Sequence, residues 1–191
     1  MRSVGSLRAS ASLSALVLAL ALALALSPAS AQRAGTQQGD GPVVDATLDA
    51  MRGGQRSLAA ERGRRVIVLF YEDRPHVEDN DVLKGELNRF LRDNHLEERL
   101  VLYGVANLAD VGAVPQAFVR EMIRPLVDRW NADILLDWNG VMRRAPFDFP
   151  TAAAVVAIVD REGHIVFRHT GRVGDPERRA FYRALRGALA P

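Results

Sequence analysis

Val66-Ile67-Val68-Leu69-Phe70-Tyr71 is an unbroken apolar run of β-branched, aliphatic and aromatic residues, with Arg64-Arg65 before it and Glu72-Asp73 after it. A strand with one solvated face alternates apolar and polar residues, so a continuous run predicts a strand buried on both faces of a parallel or mixed sheet. This is the central strand, and the other elements are read outward from it. On its C-terminal side the polar loop Glu72 to Asn80 opens a helix whose apolar residues Leu83, Leu87, Phe90 and Leu91 recur at helical spacing. Leu100 to Val105 is the next buried strand. Pro115 suits a first helical turn, and Val119, Met122, Leu126 and Trp130 mark a second helical stripe at core spacing. Pro125 removes a backbone donor and crowds the preceding turn, so it should kink or split that helix. Ile134 to Leu136 is a short strand closed by the turn Asp137-Trp138-Asn139-Gly140.

Two apolar runs, Val155 to Val159 and His164 to Phe167, are joined by Asp160-Arg161-Glu162-Gly163, a hairpin turn in which Gly163 takes the left-handed position of a bulge. Asp175 is the expected N-cap of a terminal helix, with Pro176 at its first position and Phe181, Leu185 and Leu189 on its apolar face. Upstream of the central strand, Val43 to Leu48 predicts an edge strand, and Gly53-Gly54 turns it into a second short strand at Gln55 to Leu58. The result is an α/β domain: a central mixed sheet sandwiched by helices, with an N-terminal β-hairpin extension.

The first 31 residues read as a secretory signal peptide: Arg2 and Arg8 form the positive end, Leu13 to Leu26 the apolar stretch, and Ala29-Ser30-Ala31 the small-residue cleavage site. The mature chain is expected to start at Gln32, with a flexible leader over 32–41 and the domain over 42–191. Its location is then periplasmic or secreted, with no stable membrane insertion after cleavage. Of the 25 basic residues, Arg2 and Arg8 leave with the signal, and those that remain balance the 23 acidic ones. Lacking a net basic face, the mature protein is not expected to bind nucleic acid. Lys84 is the one lysine among the basic residues, which reads as a compositional habit rather than a site. The chain contains no cysteine.

Pro42 to Leu48, Ser57-Leu58, Gly63 and the strand Val66 to Tyr71 resemble the entry segment of the peroxiredoxin and TlpA branch of thioredoxin-like proteins. Asp160 to Gly163 followed by Ile165-Val166-Phe167-Arg168-His169-Thr170-Gly171 resembles the last hairpin of the same branch, and Trp130 to Gly140 with Ala154 to Gly163 looks closest to the periplasmic YtfJ-type family. The resemblance implies a thioredoxin-like fold. Placed on the family's Cys-x-x-Cys, Pro75 and Glu78 stand where the two cysteines would be, and Ala154 stands where redox members carry a cis-proline, the nearest proline in that direction being Pro150. Thiol-disulfide exchange and peroxide reduction both need a thiolate nucleophile, so this chain alone performs neither.

What remains at that edge is an acidic, histidine-containing loop. Glu72, Asp73, Arg74, Pro75, His76 and Glu78 are the binding candidates, and no catalytic residue, metal ligand or cofactor is assigned. Carboxylates with one imidazole would suit a metal or general acid-base work if they converged. They would equally suit a solvated helix entrance, and their spacing lacks the glycine of a calcium loop. His164 and His169 are an odd number of residues apart and so face opposite ways, His95 follows a helix end, and no G-x-S-x-G motif is present. The expected function is a redox-inactive binding or accessory module of the periplasm, whose partner is another envelope protein or a small ligand. The alternative is an enzyme or metal-binding protein using residues 72–81.

Overall fold

The computed structural model describes residues 41–130 and 132–191; the expected signal peptide, cleavage site and nearly all of the leader lie outside the described residues. The expected central strand forms as β3 (Val66–Glu72), buried along its whole length. It lies between β4 (Leu100–Asn107), which it pairs in parallel from Val66↔Leu100 to Glu72↔Ala106, and β6 (Val155–Val159), which it pairs antiparallel. Around these three the sheet is completed by β1 (Thr47–Ala50), β2 (Gln55–Ser57), β5 (Asp133–Asp137) and β7 (Ile165–Thr170), in the order β2-β1-β5-β4-β3-β6-β7.

The parallel steps β3 to β4 and β4 to β5 carry the helices α1 (Asp81–Asp93) and α2 (Gln116–Trp130). Both crossovers move the same way across the sheet, and right-handed crossovers in one direction put their helices on one face. The terminal helix α3 (Asp175–Leu189) joins that face. Alternation sorts β3 between the two layers: Val66, Val68 and Phe70 meet α1 and α3, while Ile67, Leu69 and Tyr71 face the other side. Phe181 of α3 meets Phe167 of β7 edge-on at 5.3 Å, within the range in which aromatic pairs add to area burial.

The second face is covered by short 3-10 turns at Leu58–Glu61 and Val141–Arg143 and by Phe147 and Phe149. Asp137 orders this cover. Its carboxylate is fully buried and accepts hydrogen bonds from the backbone N–H of Val141 (2.7 Å) and of Met142 (3.0 Å), while Gly140 takes φ 61° to turn the chain. On the α1 side, buried Asn80 plays the corresponding part. Its Oδ1 accepts from Val173 N at 2.9 Å and its Nδ2 donates to Gly171 O at 3.3 Å. The segment after β7 is thereby pinned to the start of α1.

Four local expectations are corrected. Val43 to Leu48 is not an edge strand: Val43 bridges to His164, Val44 N donates to Gly163 O at 2.8 Å, and the chain crosses the second face before β1 begins at Thr47. Burial of Val44, Ala46, Leu48 and Ala50 on that face drives this path. Helix α2 is one element running through Pro125, so of the kink or split expected there the split does not occur. Its buried stripe is Val119, Ile123 and Val127, one position out of phase with the expected one, which leaves Met122 exposed. The N-cap of α3 is Gly174, with Asp175 and Pro176 in its first turn. The last hairpin forms as expected, with Gly163 at φ 95° and a bulge between Ile158 and Val159.

Replacing Asp137 by Ala leaves two buried N–H groups without an acceptor, and it should cost about 3 kcal/mol of unfolding free energy. Asp137→Asn keeps one acceptor and should cost less. Chemical denaturation of the three proteins measures the ranking, and equal stability of wild type and Asp137→Ala would contradict this role.

Candidate functional site

The C-terminal end of β3 delivers Glu72 to the helix-bearing side of the sheet, because its parity is that of Phe70. There it meets Lys84, on the inner face of α1. Both are buried, and Lys84 Nζ donates to Glu72 Oε2 at 2.7 Å, to Val77 O at 2.7 Å and to Asp81 Oδ1 at 3.4 Å. The ammonium also lies 5.6 Å from the Phe70 ring centre and 5.5 Å from that of Trp130. Its three donors are thus directed to a strand, a loop and its own helix, and its charge faces the end of α2. Burial pushes the Glu72 carboxyl up to about 7, with the attraction of Lys84 pulling against it. Glu72 Oε1 is buried and, among the described residues, has no hydrogen-bond partner.

The remaining loop residues do not gather around Glu72. Asp73 Oδ1 and His76 Nδ1 stand 2.5 Å apart, and this hydrogen bond raises the imidazole above its ordinary pKa. Arg74, Pro75 and His76 form a single 3-10 turn, with Arg74 and Pro75 exposed. Glu78 is exposed with Oε1 3.8 Å from Arg129, while Asp81 lies 3.0 Å from the same guanidinium and Asp79 3.6 Å from Arg172. Among the described residues, no group of three His, Asp or Glu is placed to hold a metal ion.

Glu72 and Lys84 form the polar end of a cavity of about 560 Å³ between α1, α2 and the sheet. Its floor is Phe70 of β3, Gly104 and Ala106 of β4 and Ile134 of β5; its wall is α2, through Val119, Ile123, Leu126 and Trp130. The space exists because β4 places no bulk on that face. Leu100 and Leu102 fill the sheet beneath α1 and α3, and then Gly104 and Ala106 follow at the same parity. A Cβ on Gly104 would come no closer than 3.4 Å to its neighbour, Cγ1 of Ile134. At the mouth stand Val114, Phe118 and Met122, with Phe118 59% and Met122 46% exposed. Of the residues expected at the binding edge, Glu72, Asp73 and Arg74 line this cavity, whereas Pro75, His76 and Glu78 are not among its lining.

No family model matches the chain. No curated protein matches it in sequence. Solved structures do resemble it: the exposed lipoprotein thioredoxin Etrx1 of Streptococcus pneumoniae superposes with a TM-score of 0.54 at 17% identity, over 73% of this chain and 98% of that one. A thiol-disulfide oxidoreductase from Bacteroides fragilis gives 0.53 at 16% identity, over 75% and 98%. BsSco, a member of the Sco family of cytochrome c oxidase assembly proteins, gives 0.58 at 11% identity, over 78% and 94%.

The fold is thioredoxin-like. These neighbours include thiol oxidoreductases, and a chain without cysteine shares their fold and not their nucleophile. Ahead of β6, Ala154 occupies the place expected for the family's cis-proline and is fully buried. Among the described residues the cis peptide bond is Ala145–Pro146.

Periodicity and motif do not single out Lys84, Gly104 or Phe118. Composition does carry a signal for Lys84: a chain that writes every other basic residue as Arg keeps one Lys, on the same helical face as Leu87. A compact ammonium can reach three divergent oxygens in a small space, which a planar guanidinium cannot.

The shifted carboxyl makes a prediction for stability. Folded Glu72 holds its proton to about pH 7, whereas an unfolded glutamate releases it near 4.5. Between these values the folded state binds more protons, so the Glu72 contribution favours folding below 4.5 and is lost as pH rises through 7. The difference in unfolding free energy, wild type minus Glu72→Gln, should therefore fall across that window. Because the Glu72 charge also helps to raise the His76 imidazole, both proteins carry His76→Ala in this comparison. Parallel stability profiles for the two proteins would contradict the assignment.

Proposed function

We propose that this protein is an extracytoplasmic, thiol-independent thioredoxin-like binding module, and that its ligand enters the cavity between α1, α2 and β3–β5. The observation that carries the reading is the cavity itself: an apolar space of about 560 Å³ with few, clustered polar groups. Sites of this size and lining are the ordinary form of small-molecule pockets. It lies beside the loop that bears the cysteines in redox relatives, the edge from which a binding role is expected once the thiols are gone. The location rests on the signal-like N-terminus and on similarity to an exposed lipoprotein thioredoxin. Among the described residues, no helix is long and apolar enough to cross a membrane. The finer assignment within the superfamily is the YtfJ-type branch, on the segments Trp130 to Gly140 and Ala154 to Gly163.

An enzyme working through the acidic loop would need several carboxylates converging on one point. Asp73 instead meets His76, Glu78 faces Arg129, and Glu72 faces Lys84. The binding reading is therefore preferred.

The test pairs two assays on purified protein. Insulin reduction should proceed at the rate of buffer alone, since no residue can form a mixed disulfide. The uncharged apolar dye Nile red should bind the native protein, and Gly104→Val, which fills the cavity floor, should abolish that binding while the protein still melts cooperatively. Dye binding unchanged by the substitution, or absent from the wild type, would overturn the cavity as the binding site. Insulin reduction above the buffer rate would overturn the thiol-independent reading.

A further inference from the structure

We propose that the ligand of this cavity is a small amphiphile with an apolar chain and a terminal hydroxyl, and that the hydroxyl seats on Glu72 Oε1. The inference rests on the binding-module reading and adds the chemistry of the ligand. The polar residues lining the cavity are Glu72, Asp73, Arg74, Lys84, Asn88 and Asn107. Asp73 is bonded to His76, Asn107 to Arg143, and Arg74 is exposed, so selectivity for a head group falls to Glu72, Lys84 and Asn88.

Two of the three are already engaged. Lys84 Nζ directs its donors to Glu72, Val77 and Asp81, and Asn88 Nδ2 donates to Lys84 O at 3.1 Å and to Trp130 O at 3.2 Å. Of these side chains, the one with a fully buried polar atom that has no partner among the described residues is Glu72, through Oε1, on a side chain only 7% exposed that lines the cavity. A buried polar atom left unpaired costs a sizeable part of a hydrogen bond, and a ligand group that pairs it recovers that loss.

Charge narrows the head group further. An ammonium would have to sit beside the Lys84 ammonium, already 2.7 Å from the same carboxylate. A carboxylate or phosphate would face Glu72 and Asp73, and the cation offered to it at the rim is Arg74, which is exposed and so weak as an ion-pair partner. A hydroxyl meets neither repulsion. It donates to the ionised carboxylate, and it can also accept from the acid form, which burial favours.

The experiment measures dissociation constants from the fluorescence of Trp130, which lines the cavity, in a Trp138→Phe background that leaves it as the single tryptophan, for four probes of similar length: 1-octanol, its isomer heptyl methyl ether, octanoate and octylammonium. Octanol should bind at least about tenfold more tightly than the other three, the cost of one unmade buried hydrogen bond or one misplaced charge. In the double variant Glu72→Leu/Lys84→Met, which replaces the ion pair with apolar groups, octanol and the ether should bind alike. In Gly104→Val all binding should be lost. If octanol gains nothing over the ether, or if octanoate or octylammonium binds best, the hydroxyl inference is overturned while the binding module stands. If no probe binds and the dye is also excluded from the wild type, both readings fall together.

Discussion

The hydrogen-bonded hold of Lys84 on Glu72, Val77 and Asp81 is the interaction on which the functional corner of this molecule depends. It ties the end of the central strand to the following loop and to α1, and it sets an ammonium against the ring of Trp130 at the end of α2. A buried ion pair is not in itself strong evidence of stability, because desolvating two charges costs as much as their attraction returns. Its value here is positional. Removing either partner would strand the other in an apolar site, so the geometry of the corner and the chemistry of the cavity head are fixed together.

The same corner explains how a thioredoxin-like fold can be kept without its thiols. The loop after the central strand is a short 3-10 turn closed by Asp73 and His76, and the accessible space lies further in, over Gly104 and Ala106. Fold and activity separate cleanly: the sheet order and crossovers need only apolar runs and turn residues, and all of these remain.

Most of the architecture was legible in sequence, and for definite reasons. Val66 to Tyr71 announces a strand buried on both faces because every position is apolar, and Asp160 to Gly163 announces a hairpin because only a glycine suits its last, left-handed position. Less legible was the rotation of α2. Met122 and Ile123 are adjacent and both apolar, so either can complete a helical stripe beginning at Val119, and packing against Ile134 and Leu136 selects Ile123. The cavity was illegible for a related reason. Hydrophobic periodicity records which residues face inward, but Gly104 and Ala106 matter through the volume they leave empty, and this depends on how far α2 stands from the sheet. Lys84 was visible as an oddity of composition, yet its partner lies twelve residues earlier, on another element, and only the crossover brings them together.

The central claim is that position 84 needs the shape of lysine and not merely a positive charge. The unfolding free energy of Lys84→Arg, set against the wild type in chemical denaturation, tests this directly. A planar guanidinium retains the charge but cannot donate along three divergent directions in so buried a place, and the expected loss is about 2 kcal/mol or more. A Lys84→Arg protein as stable as the wild type would mean that charge alone suffices at this corner, and it would contradict the claim.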